Sequence, residues 1–469
     1  ALLIAAAVRL AWRNNPRLAA AYAQLGLARA DVLEASRLSN PSLSYSRRTA
    51  SGNAGESIAG GITQSFADIL LLPLRKRLAA SEFDLVQRQV AGELVDLAAD
   101  VESAWFDYVG ARHVAAMRGA ACVAAESSAE LAQRYFDAGN ITRLQLSMEQ
   151  AALAQARIET LRAAGTERRA RSQLNRLMGL SSADDRWRVD ERLALPAEGE
   201  DDLAALQQLA RDQRLDLAAA RRELERDEQA LKGNRRWRWL GAFDVGYGRE
   251  RGPGDPIQRG PSLDVQIPIF NQGQGAIARN SALRDAAEAR LRSLELAIDN
   301  DVALAVDHLA NARGIVAQYR SALIPQRDAV VDETQAEVAY MLVGAFELIQ
   351  SKQQAYDAYQ AYLEALRDYW LARVELSRAV GDRLPATEAT TPTEDPTRFM
   401  QRPAAHGGHD MHHGAGAMEP MNHNGEAMPM QHSDDMPMNH DGAMPMEHDH
   451  TETTVPGETP SPTGTDTVV

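Results

Sequence analysis

Apolar residues recur along most of this chain in steps of three and four. In one long segment they fall at Val90, Leu94, Leu97, Val101, Ala104, Tyr108, Ala111 and Ala115, and in another at Leu291, Leu294, Ile298, Val302, Ala305, Leu309, Ala312 and Val316. That spacing is close to a coiled-coil seam and predicts long helices lying side by side. Ala, Leu, Arg, Glu and Gln dominate, while Pro and Gly are sparse between 75 and 180 and between 276 and 380. The many alanines let neighbouring helices approach closely. A helix over 75–137 would be roughly 95 Å long at about 1.5 Å per residue. That exceeds the ordinary length of a globular-domain helix and demands an elongated bundle.

Two stretches switch from this period to a period of two. They are PSLSYSRRTASGNAGESIAGGITQSF, 41–66, and GAFDVGYGRERGPGDPIQRGPSLDVQIPIF, 241–270. In the second, Phe243, Val245 and Tyr247 alternate with Asp244 and Gly246. Beyond a Gly/Pro-rich turn, Leu263, Val265, Ile267 and Ile269 alternate with Ser262, Asp264 and Gln266. Each stretch predicts a β-hairpin with one apolar and one polar face. The strands, about ten residues each, have the length of membrane-spanning β-strands. A soluble two-sided sheet has the same alternation, but hairpins this small would then cap very long helices.

The pattern occurs twice. LAWRNNPRLAAA (10–21) aligns without gaps on LARDQRLDLAAA (209–220), the strand pairs match at an offset near 203, and LNRLMG (174–179) falls on LSRAVG (376–381). RYFDAGNITRLQLSMEQ (134–150) matches AYMLVGAFELIQSKQQ (339–354), superposing Tyr135 on Tyr340 and Gly139 on Gly344. The expected organisation is α+β with an internal tandem repeat. A first repeat covers 1–198 (hairpin 41–66, helical-hairpin tip near 139) and a second covers 199–385 (hairpin 241–270, tip near 344). Glycine suits such tips because it takes positive φ at low cost. Four strands cannot close a barrel, and open edges are not tolerated in lipid. A membrane location therefore requires oligomerisation, and three copies would supply twelve strands.

Charge separates the rest of the chain from its end. Residues 386–469 hold fourteen acidic and two basic residues of a chain whose net charge is −15, so the body is near neutral. No basic patch points to nucleic acid. The segment 386–469 has no Leu or Ile, cannot bury a core, and is expected to be disordered. One cysteine, Cys122, excludes an intramolecular disulfide and any multi-Cys metal site. No apolar run approaches the ~20 residues of a membrane helix. The opening ALLIAAAVRL lacks a basic n-region and a cleavage site, so it is not expected to be a signal peptide. The chain does not begin with Met, which leaves a removed leader or a lipid attachment open.

The ordered set of AVRLAWRNNPRL, NPSLSYS, VQIPIFNQGQGAIARNSAL, LIPQRDAV (323–330) and the two tip segments resembles the TolC-type outer-membrane efflux family over roughly 1–384. Within that family it is most similar to the heavy-metal branch serving resistance-nodulation-division (RND) pumps. The resemblance implies a homotrimer with a twelve-stranded barrel in the outer membrane and a long α-helical tunnel across the periplasm. It implies a passive exit duct, not an enzyme. Its tips would meet a periplasmic adaptor (membrane fusion) protein, itself bound to an inner-membrane RND pump. Carried onto this sequence, the adaptor-facing residues are Gly139, Asn140, Ile141 and Thr142 at the first tip and Val343, Gly344, Ala345 and Phe346 at the second. Some members carry an acidic residue just past the first tip; here the neighbourhood reads RLQ (143–145), so no gate residue is assigned. The family's C-terminus lies in the periplasm, and the tail is expected there.

That tail departs from the family pattern. It holds nine of eleven His and, from Met400 on, ten of fourteen Met. An eight-residue unit runs three times: Met428, Met430 and His432; Met436, Met438 and His440; Met444, Met446 and His448, with His450 following. Thioether sulfur is soft and imidazole borderline, so Met with His favours Cu(I) and Ag(I) over Zn(II). Proline between the paired Met residues favours an extended local chain. An upstream cluster, His406, His409, His412 and His413, is richer in imidazole and suits Cu(II), Ni(II) or Zn(II). No cofactor is expected to be required; the tail is expected to bind Cu(I) or Ag(I), as cargo or as a buffer. The plain alternative is a low-complexity linker with accidental ligands.

Other candidates carry less. His113 and His308 fall within long helices, where an interhelical or solvent-facing histidine is the ordinary case. Trp237 and Trp239, in RRWRW, suit a membrane interface, although ordinary packing explains them nearly as well. GPGDP and NQGQG are not phosphate loops, and no catalytic triad or metalloprotease His pair is found. The leading expectation is an outer-membrane channel subunit of a tripartite copper/silver efflux system. Its rivals are a general drug or solvent exporter with a metal-binding tail, and a pore-less periplasmic coiled-coil metal-binding protein.

Overall fold

The computed structural model of the protein describes residues 2–49, 55–184, 186–189, 192–196, 202–241, 243–382 and 384. All of them belong to the first of the chain's two units, Ala1–Ala405. Two short helices, α1 (Ile4–Asn14) and α2 (Pro16–Ala35), lead to strands β1 (Ser42–Thr49) and β2 (Glu56–Ser65). The long helix α3 (Ala67–Asp137) and its return α4 (Arg143–Leu177) follow. The same order then recurs with α5 (Leu203–Gln213), α6 (Leu215–Arg236), β3 (Phe243–Arg251), β4 (Gln258–Val265), α7 (Gln274–Gln318), a π-turn at Tyr319–Leu323, α8 (Ile324–Ala339) and α9 (Ala345–Val380).

The short helices break where the chain can cap itself. Asn15 accepts from the Arg17 N–H at 2.9 Å, and Pro16 occupies the first helical position of α2. The Asn15 amide also donates 2.8 Å to the Leu177 carbonyl at the end of α4. Arg214, between α5 and α6, does the same for the end of α9, donating 3.2 Å to the Ala379 carbonyl. Gly179 and Gly381 follow those helix ends at φ +68° and +78°. A Cβ on Gly179 would lie 2.5 Å from the Asn14 carbonyl oxygen, so its glycine is required by both conformation and space.

The four strands form one antiparallel sheet in the order β1-β2-β3-β4. The two hairpins thus join edge to edge, Ile58 pairing with Arg251 through to Ser65 with Asp244. The register is unbroken, so alternation sorts the side chains onto two faces. One face carries Leu43, Tyr45, Ile58, Ile62, Val245, Tyr247, Leu263 and Val265. The other carries Ser42, Ser44, Thr63, Asp244, Gly246, Ser262 and Asp264. The expected strand content is corrected in one place: β4 ends at Val265, and Ile267 and Ile269 lie beyond it, 72% and 66% exposed. Pro268 has no N–H to continue the ladder.

The helix expected over 75–137 starts earlier, at Ala67, and spans roughly 105 Å at about 1.5 Å per residue. It runs through Pro73, whose missing N–H frays the local ladder. The Arg75 guanidinium donates 3.1 Å to the Asp68 carbonyl two turns back. All sixteen seam positions read from the sequence are buried or half-buried.

The main core lies where α1, α3, α5, α7 and α9 converge, around Leu97, Val101, Trp105, Ile298, Val302, Leu309, Leu366 and Tyr369. The Phe106 and Trp370 rings stack at 5.1 Å, and Trp370 Nε1 donates 2.8 Å to the Ala194 carbonyl. That bond straps the described part of the connecting segment onto the bundle. Burial holds the Asp107 carboxyl above its usual range; Arg367 opposes the shift and Asp368 adds to it.

Candidate docking tips

Both ends of the first tip are closed by local hydrogen bonds. At the end of α3, the Gly139 N–H reaches the Phe136 carbonyl at 2.9 Å and the Asn140 N–H reaches the Tyr135 carbonyl at 2.8 Å. This is a Schellman closure, with Gly139 at φ +78°. Thr142 then caps α4. Its hydroxyl accepts from the Gln145 N–H at 3.2 Å, and the Gln145 side chain accepts from the Thr142 N–H at 2.8 Å, a capping box. Gly139, Asn140 and Thr142 are exposed, and Ile141 is half-buried.

The second tip repeats the closure with different residues. The Met341 N–H reaches the Val338 carbonyl at 3.0 Å and the Leu342 N–H reaches the Glu337 carbonyl at 2.9 Å. Met341 holds the left-handed position, φ +60°, and is the only non-glycine residue with positive φ among the described residues. Gly344 is instead extended, φ −86°, at the cap of α9. The expectation that Gly344 supplies positive φ is therefore overturned. Gly139 corresponds to Met341 and Thr142 to Gly344, three residues out of step with the glycine-on-glycine match. The flanking pair LNRLMG and LSRAVG, spaced by 202, already carried the correct offset.

That shift reveals what the sequence reading missed. Val343, Gly344 and Phe346 do lie at the second tip, and Ala345 opens α9. Its most exposed residues are Tyr340, Met341 and Leu342, at 78%, 93% and 73%. With Phe346 they form an apolar knob, whereas the first tip presents Gly139, Asn140 and Thr142 with one exposed apolar residue, Leu144, at the position corresponding to Phe346. A side chain forced into the left-handed region costs about 1–2 kcal/mol, which water-facing packing does not return. The second tip thus combines backbone strain with an exposed apolar turn.

Polar ties hold the helices behind the tips. Tyr359 on α9 donates to both carboxylate oxygens of Asp328 on α8 at 3.1 Å, and Arg327 donates 2.6 Å to Gln354. Arg118 on α3 reaches across to α9, 2.8 Å to Asp357 and 2.5 Å to Gln360. Between α3, α4 and α9 lies a cavity of about 430 Å³ whose polar lining includes Arg118, Ser128, Glu149, Tyr356 and Asp357. Burial raises the Tyr356 hydroxyl above its ordinary pKa.

The remaining sequence candidates separate clearly. Met428, Met430, His432, Met436, Met438, His440, Met444, Met446, His448, His450 and the cluster His406, His409, His412 and His413 lie outside the described residues. Among the described residues no group of three His, Cys, Asp or Glu is placed to hold a metal ion. His113 is buried in α3, and His308 lies 3.5 Å from Glu375. The Arg238 guanidinium sits 4.6 Å over the Trp239 ring, and Trp239 is 57% exposed. No described helix is long and apolar enough to cross a membrane.

No family model matches the chain. It is 25% identical over 390 residues to the cobalt-zinc-cadmium resistance protein CzcC of Cupriavidus metallidurans, covering 81% of this chain and 90% of that one. Among solved structures, the Campylobacter jejuni CmeC outer membrane channel superposes with a TM-score of 0.70 at 14% identity, over 85% of this chain and 88% of that one. CusC, described with its transmembrane channel formation, superposes with a TM-score of 0.65 at 16% identity, over 81% and 92%. The fold is that of TolC-type outer-membrane channels.

Proposed function

We propose that the chain is an outer-membrane channel subunit of a tripartite efflux system and a passive exit duct for heavy-metal ions. The observation that carries this reading is the four-stranded sheet. One face is apolar and exposed, the other is small and polar, and it is attached to helices of roughly 100 Å. Exposed Leu43, Tyr45, Val245, Tyr247 and Leu263 would face lipid, and Ser, Gly, Thr and Asp would face a water-filled lumen. The open edges, β1 and β4, require partners of the same kind. Three copies pairing β4 to β1 give twelve strands, above a tunnel of α-helical hairpins in the periplasm. The two halves, 1–198 and 199–385, are tandem repeats of one unit.

The tips face an inner-membrane pump and its periplasmic adaptor, with the apolar knob at Tyr340–Leu342 as the principal contact. The tail, 386–469, hangs in the periplasm. Its Met-Pro-Met-x-His units favour Cu(I) and Ag(I) by softness. A second reading has specific support: the relative from Cupriavidus is named for cobalt, zinc and cadmium, and the imidazole-rich cluster at His406–His413 suits borderline divalent ions.

Cellular retention of copper, silver, cobalt, zinc and cadmium under metal stress tests this in strains with the intact chain, a deletion of 386–469, or no protein. Excess copper and silver in the null strain is expected. Excess cobalt, zinc or cadmium alone moves the cargo to divalent ions. Equal retention of every metal removes the metal-efflux function and makes hydrophobic drugs the substrates to test. A tail deletion that behaves like the null makes the ladder part of the path.

A further inference from the structure

The apolar face of the sheet changes character near the turns farthest from the helices. Arg47, Arg249, Arg251 and Arg259 all fall on that face, alternating in phase with Tyr45, Tyr247 and Leu263. Arg249 and Arg259 are direct cross-strand partners. Like charges placed opposite one another destabilise a ladder. Arg47 is answered by Glu56. Arg249, Arg251 and Arg259 are exposed and have no ion pair among the described residues. The nearby acid Glu250 falls on the opposite face.

Gly60 deepens the arrangement. It lies between Tyr45 on β1 and Arg249 on β3, directly opposite both, and puts no side chain on this face. The result is a notch beside Arg249, bordered by Tyr45 and by Ile58 and Ile62 on its own strand. Tyr45 and Tyr247 are 70% and 54% exposed. Phosphate groups suit paired guanidinium forks because their oxygens accept parallel N–H donors. An acyl chain suits the Tyr45, Ile62, Tyr247 and Leu263 surface that continues from them. The arginines occupy two of the last three positions of β3 and the second of β4, at the level where a strand leaves hydrocarbon for headgroups.

We propose that Arg249, Arg251 and Arg259, with the notch at Gly60, bind the phosphates of a phosphorylated glycolipid of the outer leaflet, of the lipid A class. The inference rests on the barrel reading above. It explains an apposed, unpaired arginine couple on a lipid-facing surface: the missing anion belongs to the membrane.

The test uses the full-length protein purified in lipid-free detergent, probed by native mass spectrometry and thermal melting. The probes are diphosphoryl lipid A, its dephosphorylated form, phosphatidylglycerol and inorganic phosphate. Diphosphoryl lipid A is expected to bind and raise the melting temperature by several degrees, with the other three at least tenfold weaker. The Arg249→Gln/Arg259→Gln variant is expected to lose that binding at least tenfold. Without lipid it should melt no lower than the parent, because the like-charge pair is gone. Equal binding by parent and variant overturns the proposal, as does equal binding of dephosphorylated lipid A or phosphatidylglycerol. If the variant does not assemble, comparison of the four probes on the parent protein decides alone. Failure of the channel reading shows separately, as a parent protein that forms no membrane oligomer.

Discussion

Single residues set the behaviour of the tips and of the helix junctions. Met341 holds a left-handed conformation at a 93% exposed position, so its side chain adds little to the packing of the fold. Met341→Gly should leave the melting temperature within a few degrees of the parent, since strain relief of about 1–2 kcal/mol is offset by glycine's entropy. The same change should weaken adaptor binding, and Met341→Asp should weaken it further; titration with the purified adaptor measures both. Gly179 behaves in the opposite way. Gly179→Ala puts a Cβ 2.5 Å from a backbone oxygen at φ +68° and should cost about 2 kcal/mol or more, read as a lowered melting temperature. Asp107 is held above the usual carboxylate range, chiefly by burial. A carboxyl whose folded pKa is raised disfavours folding when ionised, so its cost is present at neutral pH and disappears as pH falls through that raised value. Asp107→Asn should therefore raise the melting temperature at pH 7, with the gain fading toward pH 4 (about the unperturbed value). A gain that persists unchanged at pH 4 would contradict the assignment.

At the scale of elements, the π-turn at Tyr319–Leu323 explains a register change between the two halves. Before it, buried positions correspond with a spacing of 201: Leu97 with Ile298, Val101 with Val302, Ala104 with Ala305 and Tyr108 with Leu309. After it, Gly139 corresponds to Met341 with a spacing of 202. A turn closed by i→i+5 bonds holds one residue more than an α-turn, so the second long helix has absorbed a single insertion there. Deleting Ser321 should restore a plain α-helix and leave α8 turned toward α9, because the bulge holds the extra residue locally. The Asp328–Tyr359 and Arg327–Gln354 ties would then persist, whereas deleting Val330, outside the bulge, would turn the rest of α8 by about 100°. Cysteine pairs placed across α8 and α9 beyond residue 330 should crosslink in the parent and in the Ser321 deletion, and not in the Val330 deletion. Much of this level was legible in the sequence. The sixteen seam positions were read correctly because steps of three and four can only line a helix face. Three features were not. The start of α3 was obscured by Pro73, which the helix carries through although the Ile69 carbonyl loses its usual donor. The end of β4 was obscured because period two continues through Ile267 and Ile269 after the ladder has stopped. The second tip was displaced because glycine was matched to glycine, while the left-handed position is held by Met341.

For the whole molecule, the proposed barrel rests on the sheet. Its strands are eight to ten residues long, apolar on one face and polar on the other, and unpaired at both edges. Open edges are a liability in water and are not tolerated in lipid. The pairing of the two hairpins into one sheet was not legible from the sequence, because strand order across 178 intervening residues leaves no local signal. The most direct measurement is the mass and heat-modifiability of the protein extracted from outer membranes in detergent. The account predicts a detergent-requiring complex of three chains whose electrophoretic mobility changes on boiling. A monomer recovered in the soluble fraction, with no shift on heating, would contradict it.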